Sequence, residues 1–310
     1  MLKALTRALD TSEEFAPVLV RVVSAALDED HAATDLTTLW TVPAASIAEA
    51  RIICKQEGTL AGIDFVKEVF RQVDPGLRVR AIARDGEAVR PDDIVAVIHG
   101  RARSLITGER TALNLLQRAA GIATRTQLLV DELDGTGILL RDTRKTAPGL
   151  RQLDKYAVRC GGGSNHRMGL DDMILLKENH LRAAGGLKAA VRAVRENLAS
   201  GAPGRLLIET EVTTLSEVAE GLDCEVDWLL LDNMSVTEMR RAVALRDERG
   251  SSTRLEASGN IDLANISAVS TTGVDAVAVG SVTHSAPALD FSMLIMSVDG
   301  TPIQPSSPSP

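Results

Sequence analysis

Ile138-Leu139-Leu140-Arg141-Asp142-Thr143-Arg144-Lys145 sets a short apolar segment directly ahead of a run of charge. The arrangement recurs through the second half of the chain. Met173 to Leu176 leads into Lys177, Leu206 to Ile208 into Glu209-Thr210-Glu211, and Trp228 to Leu231 into Asp232-Asn233. Arg254 to Glu256 leads into Ala257-Ser258-Gly259, and Ala276 to Val279 into Gly280-Ser281. Helical segments lie between them, as at Leu187 to Leu198, Leu215 to Gly221 and Val236 to Ala244. Short apolar strands alternating with helices predict a parallel sheet covered by helices. The spacing and strand number suit an α/β barrel, with an open doubly wound sheet as the alternative. Barrel active sites sit at the C-terminal ends of the strands. Polar residues at six strand ends therefore predict one site there.

Upstream, Gly135-Thr136-Gly137 separates this region from a long helix expected over about Gly108 to Leu133, with Leu113, Leu116, Ala120 and Ala123 on one face. Pro17 opens an earlier helix whose apolar face holds Val18, Leu19, Val22, Val23, Ala26 and Leu27, and the acidic run Asp28-Glu29-Asp30 ends it. Strands are expected at Ala50 to Cys54, Val79 to Ala83 and Ile94 to Ile98, separated by the turn signals Gly58, Gly62, Pro75-Gly76 and Pro91-Asp92. This part lacks regular β-α alternation and reads as an α+β domain. The expected division is residues 1–114 for that domain, joined by 286–300, and 115–285 for the barrel. The Pro/Ser-rich tail 301–310 is expected to be disordered.

The whole chain bounds its partners. Its 310 residues are 45% hydrophobic but only 2% aromatic, so aliphatic side chains build the core. A formal net charge of -8 disfavours nucleic acid or an anionic membrane as a partner. The longest apolar runs, such as Trp228 to Leu231, are far too short to span a bilayer. Cys54, Cys160 and Cys224 are unclustered and show no metal-ligand spacing. With no secretory leader, they predict a reducing, cytoplasmic location.

Against that acidic background, Arg144, Lys145, Arg159, Arg167 and Lys177 gather in one segment, which predicts a pocket for a small polyanion. A single such cation is ordinarily a solvated surface charge. Lys145, Arg167 and Lys177 differ because they follow or flank buried strands and glycine loops. Arginine suits bidentate contact with carboxylate or phosphate, and lysine supplies a point charge. Glu211 and Asp232 are either salt-bridge partners or ligands for a hard divalent ion. Mg²⁺ is held through one or two carboxylates together with substrate phosphates. Ser258-Gly259-Asn260 and Val279-Gly280-Ser281 either let backbone N–H groups approach a phosphate or are ordinary turns. Gly161-Gly162-Gly163 matches neither a Walker loop nor a dinucleotide fingerprint. It is either a flexible loop or a mobile flap carrying His166 and Arg167 over the substrate. Lys177 at a strand end also admits a Schiff-base role, against which its polar neighbours argue. His284 is either a wall of the site or a loop histidine, and His31 and His99 are structural or surface residues. These residues alone describe an α/β-barrel enzyme acting on a phosphorylated, anionic small molecule with Mg²⁺.

Five motifs go further: Gly108-Glu109-Arg110-Thr111-Ala112-Leu113-Asn114, Asp142-Thr143-Arg144-Lys145-Thr146, Cys160-Gly161-Gly162-Gly163 with Asn165-His166-Arg167, Asp232-Asn233-Met234, and Gly280-Ser281 through Thr283-His284-Ser285. Together they resemble the quinolinate phosphoribosyltransferase family, in order, from near Asp35-Leu36-Thr37-Thr38 to about Ser292. The resemblance implies a reaction of quinolinate with phosphoribosyl pyrophosphate that gives nicotinate mononucleotide, pyrophosphate and CO₂, the entry to NAD synthesis. It implies an N-terminal α/β sandwich followed by an incomplete α/β barrel of about seven strands. It also implies a homodimer in which Arg110 reaches the partner's site, which would account for an arginine at a helix start.

By the same resemblance, Arg110, Arg144, His166, Arg167 and Lys177 contact the dicarboxylate, and Thr143 and His284 are counted among the substrate-binding residues. Glu211 and Asp232 hold Mg²⁺, with Glu209 also available and strand register deciding which glutamate faces the metal, and Ser258 to Asn260 with Val279 to Ser281 grip the 5′-phosphate. Lys145 serves the leaving pyrophosphate or a substrate carboxylate. Lys145, Glu211 and Asp232 are the residues expected to carry catalysis. Ser164 stands where many relatives carry lysine, which removes one cation. The competing readings are a phosphoribosyltransferase for nicotinate, a paralogue linked to molybdate uptake, and a binding relative without catalysis. Quinolinate needs more cations than nicotinate, and the density from Arg144 to Lys177 favours it.

Overall fold

A computed structural model describes residues 15–201 and 206–303. Contacts divide the chain into two units, one within Met1–Gln127, Ala147–Gly162 and Ser285–Pro310, the other within Leu128–Thr146 and Gly163–His284.

The first unit opens with α1 (Ala16–Glu29), which has Pro17 in its first turn and buries Val22 and Val23. α2 (Leu36–Thr41) is capped by Asp35, whose carboxylate accepts the Thr38 N–H at 3.0 Å. β1 (Ile47–Cys54) alternates in burial, with Ala48, Ala50, Ile52 and Cys54 inward. β2 (Gly58–Thr59), α3 (Ile63–Val73), β3 (Arg78–Ala81), β4 (Ala88–Val89) and β5 (Ile94–Arg101) follow. α4 (Ala102–Asp131) starts earlier than its periodicity predicts. Arg110 therefore lies well inside the helix, and the dipole argument for its special placement lapses. α5 (Arg151–Cys160) belongs to the same unit.

The second unit holds β6 (Leu139–Arg141), β7 (Ile174–Leu176), α6 (Glu178–Ala184), α7 (Leu187–Ala199), β8 (Ile208–Val212), α8 (Leu215–Asp223) and β9 (Trp228–Asp232). α9 (Val236–Glu248), β10 (Arg254–Ser258), α10 (Ile266–Ser270), β11 (Ala276–Ala278) and α11 (Ser281–His284) complete it. The six strands form a parallel sheet in the order β6-β11-β10-β9-β8-β7. The first strand in sequence is thus beside the last, the order of a barrel rather than of a doubly wound sheet. A lone parallel bridge from Ser164 to Arg141 stands beyond β6. The expected seventh strand is reduced to that one residue. Capping boxes start α8 and α9, where Thr214 with Glu217 and Ser235 with Glu238 satisfy the exposed N–H groups.

β8, β9 and β10 run further than their apolar cores suggest. Glu209, Thr210, Glu211, Asp232 and Ser258 sit on strands, not after them. The ladder carries them, since Glu211 is level with Leu230 and Ser258 with Asp232. His166 meets Glu209 there, Lys177 meets Glu211 and Asn233 meets Asp232, while the Thr210 hydroxyl is buried without a hydrogen-bond partner.

The chain then returns to the first unit as β12 (Phe291–Val298) and β13 (Thr301–Pro302), giving an antiparallel sheet in the order β13-β12-β1-β5-β3. Thr301 and Pro302 pair with β12, contrary to the disorder expected of the tail, and residues 304–310 lie outside the described residues. The division expected at residue 114 falls inside α4, and contacts group 115–127 and 147–162 with the first unit. Gln117 accepts the Leu289 N–H at 3.0 Å, and Arg118 grips Asp154 with two bonds of 2.8 Å. Among the described residues, no helix is long and apolar enough to cross a membrane.

Candidate active site

A cavity of about 600 Å³ opens at the C-terminal ends of the parallel strands. The segment after β6 gives it Thr143, Arg144 and Lys145, and the segment after the Ser164 bridge gives His166 and Arg167. β7 gives Leu175 and its end Lys177, β8 gives Glu211, and β9 gives Leu230 with Asp232 and Asn233. Ser258, Gly259 and Asn260 close the far side, over Ala278 of β11. The period-2 alternation of a strand explains the selection, since residues two apart along each strand face the same way. Eleven residues that the sequence nominates thus share one cavity: Thr143, Arg144, Lys145, His166, Arg167, Lys177, Glu211, Asp232, Ser258, Gly259 and Asn260.

Beneath the cavity the same alternation brings together Arg141, Glu209 and Glu256. Arg141 pairs with Glu256, and its guanidinium lies 4.9 Å from the centre of the Trp228 ring. Glu209 Oε2 lies 2.8 Å from His166 Nε2. Both glutamates are fully buried, and one oxygen of each has no hydrogen-bond partner. Burial pushes the Glu209 carboxyl above its ordinary range. Burial and the neighbouring Glu209 push Glu256 up to about 7.

His166 and Arg167 are fastened to this floor. Asp142, itself fully buried, accepts the His166 N–H at 2.8 Å and the Asn165 amide at 2.7 Å. The Arg167 N–H donates to His166 Nδ1 at 2.7 Å, and its guanidinium donates to the Met173 carbonyl at 3.2 Å. Gly161, ahead of them, is a close-approach position, since a Cβ on it would lie 2.3 Å from the Ala123 carbonyl oxygen. Asn165, His166 and Arg167 are thus tied by hydrogen bonds to Asp142 and Met173 in this structure. Burial, and then the neighbouring Arg144, depress the Arg167 pKa. Two guanidinium groups that disfavour each other beside an open cavity mark a place for an anion.

At the rim, Lys177 Nζ donates to Glu211 Oε2 at 2.7 Å. This gives Lys177 a carboxylate neighbour instead of the apolar pocket a Schiff-base lysine requires. Asp232 Oδ2 accepts from the Asn233 amide at 2.8 Å, and Asn233 Oδ1 accepts from Asn260 at 3.2 Å. Gly259 has φ +95°, and a Cβ there would lie 2.2 Å from Asn233 Oδ1, so only glycine fits. Gly280 is a close-approach position, because a Cβ on it would meet Lys145 Cδ at 2.9 Å. Thr283 donates its hydroxyl to the Lys145 carbonyl at 2.9 Å and so fixes the main chain of that lysine.

Other nominated residues lie elsewhere. Val279 and Ser281 are next to the cavity in sequence but do not line it, although the Val279 N–H donates to the Arg141 carbonyl at 2.9 Å. The Ser281 hydroxyl is buried without a hydrogen-bond partner. His284 packs against the Gly280 position. Arg110 is exposed on α4, in the first unit, and is not among the lining residues. Sequence reading gave no specific role to Arg141, Asp142 or Glu256, and it left Glu209 open as the alternative to Glu211 for the metal. Strand alternation was the available signal for Glu209, since it shares a face with Glu211. The left-handed backbone of Asn233 and Asn260 leaves no comparable mark in the sequence.

The chain matches the family descriptions "Quinolinate phosphoribosyl transferase, N-terminal domain" over residues 35–120 and "Quinolinate phosphoribosyl transferase, C-terminal domain" over residues 122–294. It belongs to the quinolinate phosphoribosyltransferase family. Relatives of this family include a probable nicotinate-nucleotide pyrophosphorylase [carboxylating] of Synechocystis, 42% identical over 80% of this chain and 83% of its own. The nicotinate-nucleotide pyrophosphorylase [carboxylating] of Mycobacterium leprae is 42% identical over 86% of this chain and 94% of its own. The solved structure of the nicotinate-nucleotide pyrophosphorylase from Francisella tularensis superposes with a TM-score of 0.84 at 39% identity, covering 90% of this chain and 96% of the other.

The donor set of the quinolinate phosphoribosyltransferase cavity also fits a hard divalent cation. Glu211 and Asp232 supply carboxylate oxygens from adjacent strands, and each has one oxygen engaged by a neighbour within the site. Two carboxylates with room for phosphate oxygens and water suit Mg²⁺.

Proposed function

We propose that this enzyme transfers the phosphoribosyl group of phosphoribosyl pyrophosphate to quinolinate and decarboxylates the product, yielding nicotinate mononucleotide, pyrophosphate and CO₂. The observation that carries the reading is the meeting of Arg144, Lys145, Arg167 and Lys177 with Glu211 and Asp232 around one cavity. Arg144, Arg167 and Lys177 hold the two carboxylates of the acceptor. Glu211 and Asp232 would hold Mg²⁺, which would supply positive charge for the pyrophosphate leaving group. Ser258, Gly259 and Asn260 receive the 5′-phosphate through backbone N–H groups.

Lys145 neutralises the pyrophosphate as the ribose C1–O bond breaks and the bond from C1 to the pyridine nitrogen forms. The nitrogen is then cationic. The bond from C2 to its carboxylate breaks, CO₂ departs, and the electron pair stays on C2 beside that cation. A proton from Lys145 or water completes C2. No covalent nucleophile is required.

The active form is a cytoplasmic homodimer in which Arg110 is contributed to the partner's cavity. The test is purified protein with quinolinate, phosphoribosyl pyrophosphate and Mg²⁺, followed for CO₂ and nicotinate mononucleotide. Turnover with nicotinate but none with quinolinate sinks this reading in favour of the non-decarboxylating transferase.

A further inference from the structure

His166 lines the cavity, yet neither of its ring nitrogens is available to a ligand. Nδ1 accepts the Arg167 N–H at 2.7 Å, so it carries no proton. The ring proton of the neutral imidazole is then on Nε2, which donates to Glu209 Oε2 at 2.8 Å. His166 is only 7% exposed, and Glu209 is fully buried. The charged groups around this pair include Arg141 and Glu256 from β6 and β10, Arg167 from the adjoining segment, Lys177 after β7, and Asp142, which holds the His166 N–H.

We infer that Glu209 and His166 are a positioning pair, which fixes the main chain of Arg167 and thereby its guanidinium at the acceptor end of the cavity, and that His166 makes no nitrogen contact with substrate. Glu209 holds the ring in the Nε2–H tautomer. That tautomer leaves Nδ1 as the acceptor for the Arg167 N–H. The Met173 carbonyl holds the other end of Arg167 at 3.2 Å. Loss of the glutamate frees the ring, and Arg167 then loses one of its two anchors. The inference rests on the reading that Arg167 contacts the dicarboxylate, but the ring tautomer does not depend on that reading.

Two measurements test it. With five histidines in the chain, ¹⁵N imidazole resonances can be assigned with a His166→Asn control. In the unliganded protein the His166 ring is expected as the neutral Nε2–H tautomer, unchanged when quinolinate is added. An Nδ1–H tautomer, an imidazolium, or ring-nitrogen shifts that move on quinolinate binding would overturn the inference.

The second measurement compares Glu209→Leu with Glu209→Gln, whose amide oxygen can still accept from Nε2–H. Glu209→Leu is expected to raise the KM for quinolinate about tenfold, the loss of one hydrogen-bonded contact, with the KM for phosphoribosyl pyrophosphate unchanged. Glu209→Gln restores most of that loss. A fall in kcat with both KM values unchanged marks Glu209 as merely structural and overturns the inference. If Glu209→Leu fails to fold, the tautomer of the wild-type ring decides. Absence of wild-type turnover with quinolinate is a failure of the proposed reaction, and the tautomer result stands apart from it.

Discussion

Lys177 Nζ and Glu211 Oε2 are 2.7 Å apart across the mouth of the cavity, so a cation suited to the acceptor and a carboxylate suited to the metal neutralise each other in the free protein. Lys177 remains half exposed while Glu211 is mostly covered. Such a pair adds little stability, because solvent screens its exposed member. Under the proposed reaction, both partners are drawn to ligands during turnover. Lys177→Met is expected to raise the KM for quinolinate by about 10- to 100-fold, the range of one charge-assisted contact, and to leave the fold intact. Steady-state kinetics with circular dichroism as the folding control checks this.

Asp232 holds one oxygen on Asn233 and leaves the other toward the cavity. Asp232→Asn keeps the shape and removes the charge. The Mg²⁺ concentration for half-maximal rate is expected to rise about tenfold or more, while binding of quinolinate alone is unchanged. A Mg²⁺ titration of initial rate, paired with calorimetric titration of quinolinate, separates these outcomes.

Gly259→Ala meets two obstacles, a left-handed φ of +95° and the Asn233 oxygen at 2.2 Å from the new Cβ. The expected cost is about 1–3 kcal/mol of stability, with a raised KM for phosphoribosyl pyrophosphate. Urea denaturation and kinetics read the two effects. Gly137→Ala, where φ is +77° but nothing lies within 4 Å, is the control for backbone strain without the clash.

Glu256 gives a pH dependence of stability. Its folded pKa of about 7 lies above its ordinary value of 4.5, so between those values the folded chain binds a proton that the unfolded chain has released. Stability from this group is full below the unfolded pKa and is lost as pH rises through the folded one, at up to about 1.4 kcal/mol per pH unit. Glu209 is raised by burial as well and acts in the same direction. Urea midpoints at pH 5.5 and 7.5 are expected to fall less in Glu256→Gln than in the wild type. An equal fall in both proteins excludes Glu256 as the source.

Arg110 is exposed and is not among the residues that line the cavity. If it acts across a dimer, separately inactive Arg110→Ala and Lys145→Ala subunits recover activity on mixing. Up to about one quarter of wild-type activity is expected from random pairing of equal amounts, since half the dimers are mixed and each restores one of two sites. No recovery, with subunit exchange verified, places Arg110 outside the working site.

Apolar segments that repeatedly end in charge were enough to read parallel strands, alternating helices and an active end, because burial on both faces of a strand demands an apolar core and the ladder fixes which end is exposed. The spacing of Asp142 to Lys145, Lys177, Glu211, Asp232 and Ser258 to Asn260 along the chain likewise marked the cavity. Tertiary structure alone decided three things. It extended β8 to β10 through their polar residues, because neighbouring strands complete the ladder that an isolated segment cannot. It brought Ala123 against Gly161 and Asp142 against Asn165 and His166, because these partners come from distant parts of the sequence. It also gave Glu209 a partner in His166, a contact between residues 43 positions apart that no local pattern encodes. Periodicity reports which way a side chain faces, and only the folded chain determines what it meets there.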